Sequence, residues 1–193
     1  MFDFIKGNLV DLKPTYAVID TGNIGYLVHI SLNTYTKLSK APGSKIYLHQ
    51  VIREDAHILY GFFDNHERDI FRMLISVSGI GANTARLILS SLSPSEIEQA
   101  IFEGNVALLK SVKGIGIKSA QRLIVDLKDK VGKSAEAGEI FAVERNTLRE
   151  ESLSALVMLG FPKSSVQKVL DQILQQEKEL SVEEVIKAAL KRL

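Results

Sequence analysis

Residues 74–92 (LISVSGIGANTARLILSSL) and 109–127 (LKSVKGIGIKSAQRLIVDL) are one pattern written twice, 35 residues apart. Leu74/Leu109, Ser76/Ser111, Val77/Val112, Gly79/Gly114, Ile80/Ile115, Gly81/Gly116, Ala85/Ala120 and Leu92/Leu127 are identical pairs. In each copy Gly-Ile-Gly stands between an apolar segment and a segment with helical periodicity. Two glycines permit a tight turn with positive φ and leave no Cβ in the way of an approaching partner. The isoleucine between them can drop into a core and pin the turn. Main-chain N–H groups at the start of the next helix then face outward, where geometry and helix dipole favour an anion. A single Gly-x-Gly reads most simply as a packing turn between helices. Two copies at fixed spacing, each followed by hydrogen-bond donors, point to paired phosphate contacts. Those donors are Asn83 and Lys118, two residues past the second glycines, then Thr84 and Ser119. Arg86 and Arg122 fall in the first turns of the following helices, offset by one position between copies. A dinucleotide fold is disfavoured, because neither copy has a third glycine or follows a strand.

The remaining chain sets limits on what surrounds this repeat. At 193 residues there is room for one large or two to three small domains. Cysteine is absent, which excludes a disulfide framework and thiolate chemistry. His29, His49, His57 and His66 lack metal-ligand spacing, so no metal site is expected. No apolar run reaches the roughly 18 residues of a membrane span, and no signal peptide is read at the N-terminus, so a cytoplasmic protein is expected. Net charge is +1. Residues 65–131 carry nine basic and seven acidic groups, against six and six in 1–64 and nine and ten in 132–193. Any electrostatic attraction for nucleic acid must therefore be local.

Periodicity divides the chain. Residues 1–64 show short alternating runs at Phe4–Leu9, Tyr16–Asp20, Tyr26–Ser31, Lys45–Ile52 and His57–Phe62, punctuated by turn-forming residues. Five short strands in that length suit a small barrel of the OB type. Residues 65–131 have helical spacing throughout and read as about five helices. Asp64-Asn65-His66-Glu67 resembles a capping box, and Ser93-Pro94-Ser95-Glu96 is a strong helix start. Residues 132–147 lose periodicity and read as a flexible linker. Residues 148–193 read as a small three-helix, UBA-like bundle with helices near 148–159, 163–176 and 181–192. Thr147-Leu148-Arg149-Glu150 would open the first and Gly160 would end it. The fold class expected is a multidomain α+β chain.

The doubled segments resemble tandem helix-hairpin-helix motifs, which grip sugar-phosphate backbone without reading bases. The order barrel, tandem motif, linker, bundle, together with VIREDAHILYGF at 51–62 and KGIGIKSAQRLIVDLKDK at 113–130, is similar to the bacterial RuvA family. The resemblance covers essentially the whole chain and is weakest over 132–146. It implies a non-catalytic subunit that binds four-way (Holliday) junctions. Such a subunit targets the hexameric RuvB ATPase for branch migration in recombination, DNA repair and the SOS response. It implies DNA contacts from Gly79, Ile80, Gly81, Asn83, Thr84, Gly114, Ile115, Gly116, Lys118, Ser119 and Arg122. It implies an acidic pin at Glu54 and Asp55, with Arg53 adjacent, and motor contacts drawn from Leu156, Leu159 and Phe161. It implies a homotetramer or octamer, RuvC resolvase as a further partner, and no cofactor on this chain, ATP and Mg being used by the motor. The chain departs from the family pattern at Asn83 and Ile117, where basic residues are frequent, so fewer charge contacts per subunit are expected.

Two other classes stay open on sequence. A helix-hairpin-helix glycosylase would place a catalytic Asp after the hairpin; Asp126 and Asp129 lie at about that distance, but no Gly-Pro-Asp precedes them. A nuclease would need clustered carboxylates, for which Glu54-Asp55 is the only obvious start. A scaffold that binds only protein would use the hairpins as packing turns. No Gly-x-x-x-x-Gly-Lys-Ser/Thr motif for nucleotide binding occurs.

Overall fold

The computed structural model describes the backbone of residues 2–41, 45–135, 143–176 and 180–193. Strands β1 (Phe4–Ile5), β2 (Asn8–Lys13), β3 (Tyr16–Asp20), β4 (Gly25–Ile30), β5 (Ile46–Ile52) and β6 (His57–Phe62) form one sheet in the order β1-β5-β6-β4-β3-β2. Neighbours are antiparallel except β4 and β6. The two edge strands are separated in the chain only by Lys6 and Gly7. They are halves of one bent strand, so the sheet closes on itself as an OB-type barrel. Gly7 permits the bend: a Cβ there would lie 2.3 Å from the Asp20 carbonyl oxygen and 2.9 Å from Ile19 Cγ2. The single strand expected at Phe4–Leu9 is thereby corrected to two, the second running on to Lys13. Alternation sends Ala17, Ile19, Val28, Ile30, Ile46 and Leu48 into the barrel core.

Helix α1 (Leu32–Lys40) lies between β4 and β5, where sequence periodicity indicated no helix. Ser31 caps it by accepting from the Thr34 N–H at 3.0 Å, and Thr34 and Leu38 are buried. Asn33 Nδ2 donates to the carbonyls of Leu89 at 2.6 Å and Leu92 at 3.0 Å, tying α1 to the end of a later helix.

Five helices follow as expected: α2 (Asn65–Ile75), α3 (Ala82–Ser91), α4 (Pro94–Glu103), α5 (Val106–Lys110) and α6 (Ile117–Ala135). Ser93 and Glu96 form the complete capping box read from the sequence. At α2 only half of one forms. Asp64 accepts from the Glu67 N–H at 2.9 Å, but the Glu67 carboxylate turns to α1. There it accepts from the hydroxyls of Ser31 and, at 2.7 Å, Thr34. Tyr60 and Phe62 of β6 stack on Phe71 of α2 at 5.2 and 4.9 Å and belong to the same buried cluster as Leu74, Ala85, Ala120, Leu123 and Leu127. Barrel and hairpins thus share a core, and residues Met1–Gly132 make one compact unit. The change at 64/65 is one of period, with continuous packing across it.

The second compact unit is Lys133–Leu193. Its helices α7 (Val143–Met158), α8 (Lys163–Gln176) and α9 (Val182–Leu190) enclose Leu156, Val166, Leu170, Ile173, Val185 and Ala189. Helices α6 and α7 each extend into the stretch read as linker. Residues 136–142, the remainder of that stretch, lie outside the described residues. Thr147–Glu150 therefore sit inside α7 rather than opening it. Gly160, at φ +99°, ends this helix, and the Phe161 N–H donates to the Leu156 carbonyl at 3.2 Å. Ser181 and Glu184 close a full capping box at α9.

Candidate nucleic-acid interface

The two Gly-Ile-Gly turns are geometric copies. Helix α2 leads through 76–81 into α3, and α5 through 111–116 into α6. Gly79 has φ +90° and Gly114 φ +93°, a region that L side chains avoid. Ile80 and Ile115 are buried, and their N–H groups donate to Val77 and Val112 carbonyls at 3.0 and 3.1 Å. Ser76 and Ser111 hydroxyls each donate back to the preceding turn at 2.7 Å. The N–H groups of Ala85 and Ala120 each reach the second glycine's carbonyl at 2.9 Å. Identical residues 35 apart produce identical hydrogen bonds because each turn is fixed by its own local apolar pins, Val77–Ile80 and Val112–Ile115.

The second glycines are different. Gly81 has φ −82° and ψ 166°, which any residue adopts, and Gly116 has no positive φ. A Cβ built on either would meet nothing within 4 Å. Nothing inside the fold demands glycine there, so the bare main chain leaves room for something outside it. The N-terminus of α3 also has no side-chain cap, which leaves its first N–H groups available to a ligand.

The expected donors are distributed unevenly around these turns. Lys118 is exposed at the head of α6, with Ser119 half-buried beside it. Asn83 is exposed at the equivalent place on α3, with Thr84 half-buried, and its Oδ1 accepts from the Tyr60 hydroxyl at 3.0 Å. Arg122 is exposed and donates to the Ser78 carbonyl at 3.1 Å, joining the second hairpin's helix to the first hairpin's turn. Arg86 is turned away from its own hairpin and donates to the Thr15 carbonyl of the barrel at 2.9 Å. Tyr60 and the two arginine–carbonyl contacts are not legible in the sequence, since each joins residues more than 20 positions apart. Lys113, exposed just before Gly114, adds a cation that the spacing argument passed over.

Arg53, Glu54 and Asp55 are all exposed at the tip of the β5–β6 hairpin, closed by the Arg53 N–H donating to the Ala56 carbonyl at 2.8 Å. This hairpin continues β6, whose Tyr60 and Phe62 enter the hairpin-domain core, so the acidic tip and the two turns stand on one compact unit.

In the second unit Leu156 is wholly enclosed and Phe161 packs partly against the same core, so Leu156 supports a surface rather than forming one. Leu159 is 61% exposed, and Met158, unremarked in the sequence, is 86% exposed beside it. Among the described residues no group of three or more His, Asp or Glu could hold a metal ion. No helix of the described residues is long and apolar enough to cross a membrane.

Comparison with known proteins agrees along the whole chain. Residues 1–61 match the RuvA N terminal domain, 71–129 the SAM-like helix-hairpin-helix tandem, and 147–193 the RuvA C-terminal domain. Over the full length of both chains, identity is 51% to the Holliday junction branch migration complex subunit RuvA of Bacteroides thetaiotaomicron. It is 48% to that of Christiangramia forsetii and 44% to that of Porphyromonas gingivalis, again over both full lengths. A barrel closed by a bent first strand, tandem Gly-Ile-Gly hairpins on its core and a three-helix C-terminal unit therefore have a common explanation: the chain belongs to the RuvA family.

Proposed function

We propose that this chain binds four-way (Holliday) DNA junctions by shape and backbone contact, and brings the RuvB ATPase to them for branch migration in recombination and repair. The observation that carries this reading is the pair of bare second glycines, Gly81 and Gly116, which neither backbone conformation nor internal packing requires. A phosphate can approach each turn closely and meet main-chain N–H groups and the positive end of a helix dipole. Lys118 adds charge to one clamp, and Asn83 adds a neutral donor to the other. Gly79, Ile80, Gly114 and Ile115 set the turns, and Thr84 and Ser119 flank them. Contacts of this kind hold DNA in register without reading its sequence.

The acidic tip acts in the opposite sense. Glu54 and Asp55 repel phosphates, and a fourfold assembly would gather four such tips where the strands cross. A homotetramer is the assembly this role needs, and an octamer would clasp the junction from both faces. The chain itself does no chemistry; ATP and Mg are used by the motor. Leu159 and Met158, the two most exposed large apolar residues described on the second unit, are offered to that motor, and RuvC is a further partner acting on the same junction. The setting is cytoplasmic.

A mobility-shift comparison of a four-way junction with linear duplex of the same length tests the reading, with tighter binding of the junction expected. Equal affinity for both would overturn it, and base excision or nicking by the purified chain would overturn the non-catalytic role. In the same assay Lys118→Ala is expected to weaken all junction sequences alike and to lower the slope of log affinity against log salt by about one. Neutralising the tip with Glu54→Gln and Asp55→Asn is expected to leave binding intact or tighter while altering branch migration with the motor and ATP. Loss of the complex in that variant would remove the repulsive role.

A further inference from the structure

Among the matched positions where the two clamps differ, one changes a cation to an amide, and a buried tyrosine contacts that amide. Under the 35-residue offset Asn83 takes the place of Lys118. The second clamp thus offers a flexible cation, and the first a short neutral amide. Tyr60 reaches that amide from strand β6. Its ring is 2% exposed and packed against Phe71 at 5.2 Å, and its hydroxyl donates to Asn83 Oδ1 at 3.0 Å. Burial raises the Tyr60 pKa, so the hydroxyl remains a proton donor at neutral pH.

We infer that Tyr60 is a positioning residue for the first clamp: it occupies the Asn83 carbonyl and so presents the Asn83 amide N–H groups to a DNA phosphate. This inference rests on the backbone-clamp reading above. An amide oxygen offers two lone pairs and its nitrogen two N–H donors. A fixed hydroxyl on the oxygen sets which way the amide is turned, with its N–H groups facing away from Tyr60. The rotamer freedom of Asn83 is restricted before DNA arrives, whereas Lys118 loses its own on binding. The first clamp is therefore held by geometry and the second by charge. Only the second should contribute a side-chain counterion term to the salt dependence.

Junction affinity measured by mobility shift over a salt series, for the wild type, Tyr60→Phe, Asn83→Lys and the double variant, tests this. Tyr60→Phe removes one oxygen and keeps the ring stack. It should weaken junction binding roughly three- to tenfold, the effect of one hydrogen bond, with an unchanged salt slope. Asn83→Lys should steepen the slope by about one. In that background Tyr60→Phe should cost nothing, because the lysine has no carbonyl to hold. The same loss in both backgrounds, or no loss in the wild-type background, overturns the inference. If the wild type itself fails to prefer four-way over linear DNA, the clamp reading falls first, so the two failures are told apart.

Discussion

A chain carrying Gly81→Leu and Gly116→Leu together should fold like the wild type and lose at least about 100-fold in junction affinity. The fold has no use for glycine at these positions. Gly81 has the extended φ and ψ of an ordinary helix N-cap, and a side chain on either residue enters open space. Replacing an N-cap glycine costs at most about 1 kcal/mol per site. On the proposed clamp reading, the same leucines stand where a phosphate would have to come within hydrogen-bond distance of main-chain N–H groups. A charge-assisted hydrogen bond contributes about 1.5–3 kcal/mol, so two blocked clamps amount to a factor of roughly 100 or more. Thermal melting and mobility shift on the same sample separate the two properties. Retained binding with leucine at both sites would remove the close-approach argument. Gly79 and Gly114 provide the contrast: at φ +90° and +93°, a side chain there strains the turn itself, by about 1–2 kcal/mol each.

Glu67→Ala should destabilise the first unit by about 3 kcal/mol, the scale for breaking a buried hydrogen-bond network. Its carboxylate is wholly buried and accepts from Ser31 and Thr34, whose own oxygens already accept from the Thr34 and Phe63 N–H groups. Removing it leaves two buried hydroxyls without an acceptor on the seam between α1 and α2. Burial, opposed by those hydroxyls, leaves the Glu67 pKa raised above the ordinary 4.5. The folded state therefore holds the Glu67 proton more tightly than the unfolded state. The associated stability is fully present below 4.5 and is lost as pH rises through the raised folded value. Denaturant melts from pH 7 down into this range should show the wild type gaining stability relative to Glu67→Ala. A constant difference between the two proteins across that range would show that Glu67 stays ionised in its pocket.

What the sequence reveals here depends on how local its causes are. The duplicated turns were legible because every residue that shapes them lies within a few positions: glycine for positive φ, valine and isoleucine for the pins, alanine for close helix approach. Helix starts at Ser93 and Ser181 were legible for the same reason. Helix α1 was not, because LNTYTKLSK is rich in polar and β-branched residues. Its helicity comes from Ser31 capping, burial of Thr34 and Leu38, and the Asn33 bridge to Leu89 and Leu92. Glu67 looked like a capping partner for Asp64, but two hydroxyls more than 30 residues away hold it more effectively. Arg86 and Arg122 carried charge and position in the sequence, yet their orientation is set by backbone carbonyls at Thr15 and Ser78. Leu156 reads from the sequence as core or interface, and only the packed bundle separates it, enclosed, from Leu159 and Met158, exposed. The family resemblance nominated residues for the clamps and the acidic tip; the contacts that orient individual side chains required the fold.

The bent first strand has a consequence for how these chains can associate. Residues 4–5 pair with β5 and residues 8–13 with β3, so one short stretch occupies both margins of the sheet. While that clasp is closed, the Ile46–Tyr47 part of β5 and the pairing edge of β3 are taken up within the chain and are not open to an added strand. Peeling away residues 4–13 would uncover two sticky margins at once, so the same clasp that completes the barrel also guards it against indiscriminate strand exchange.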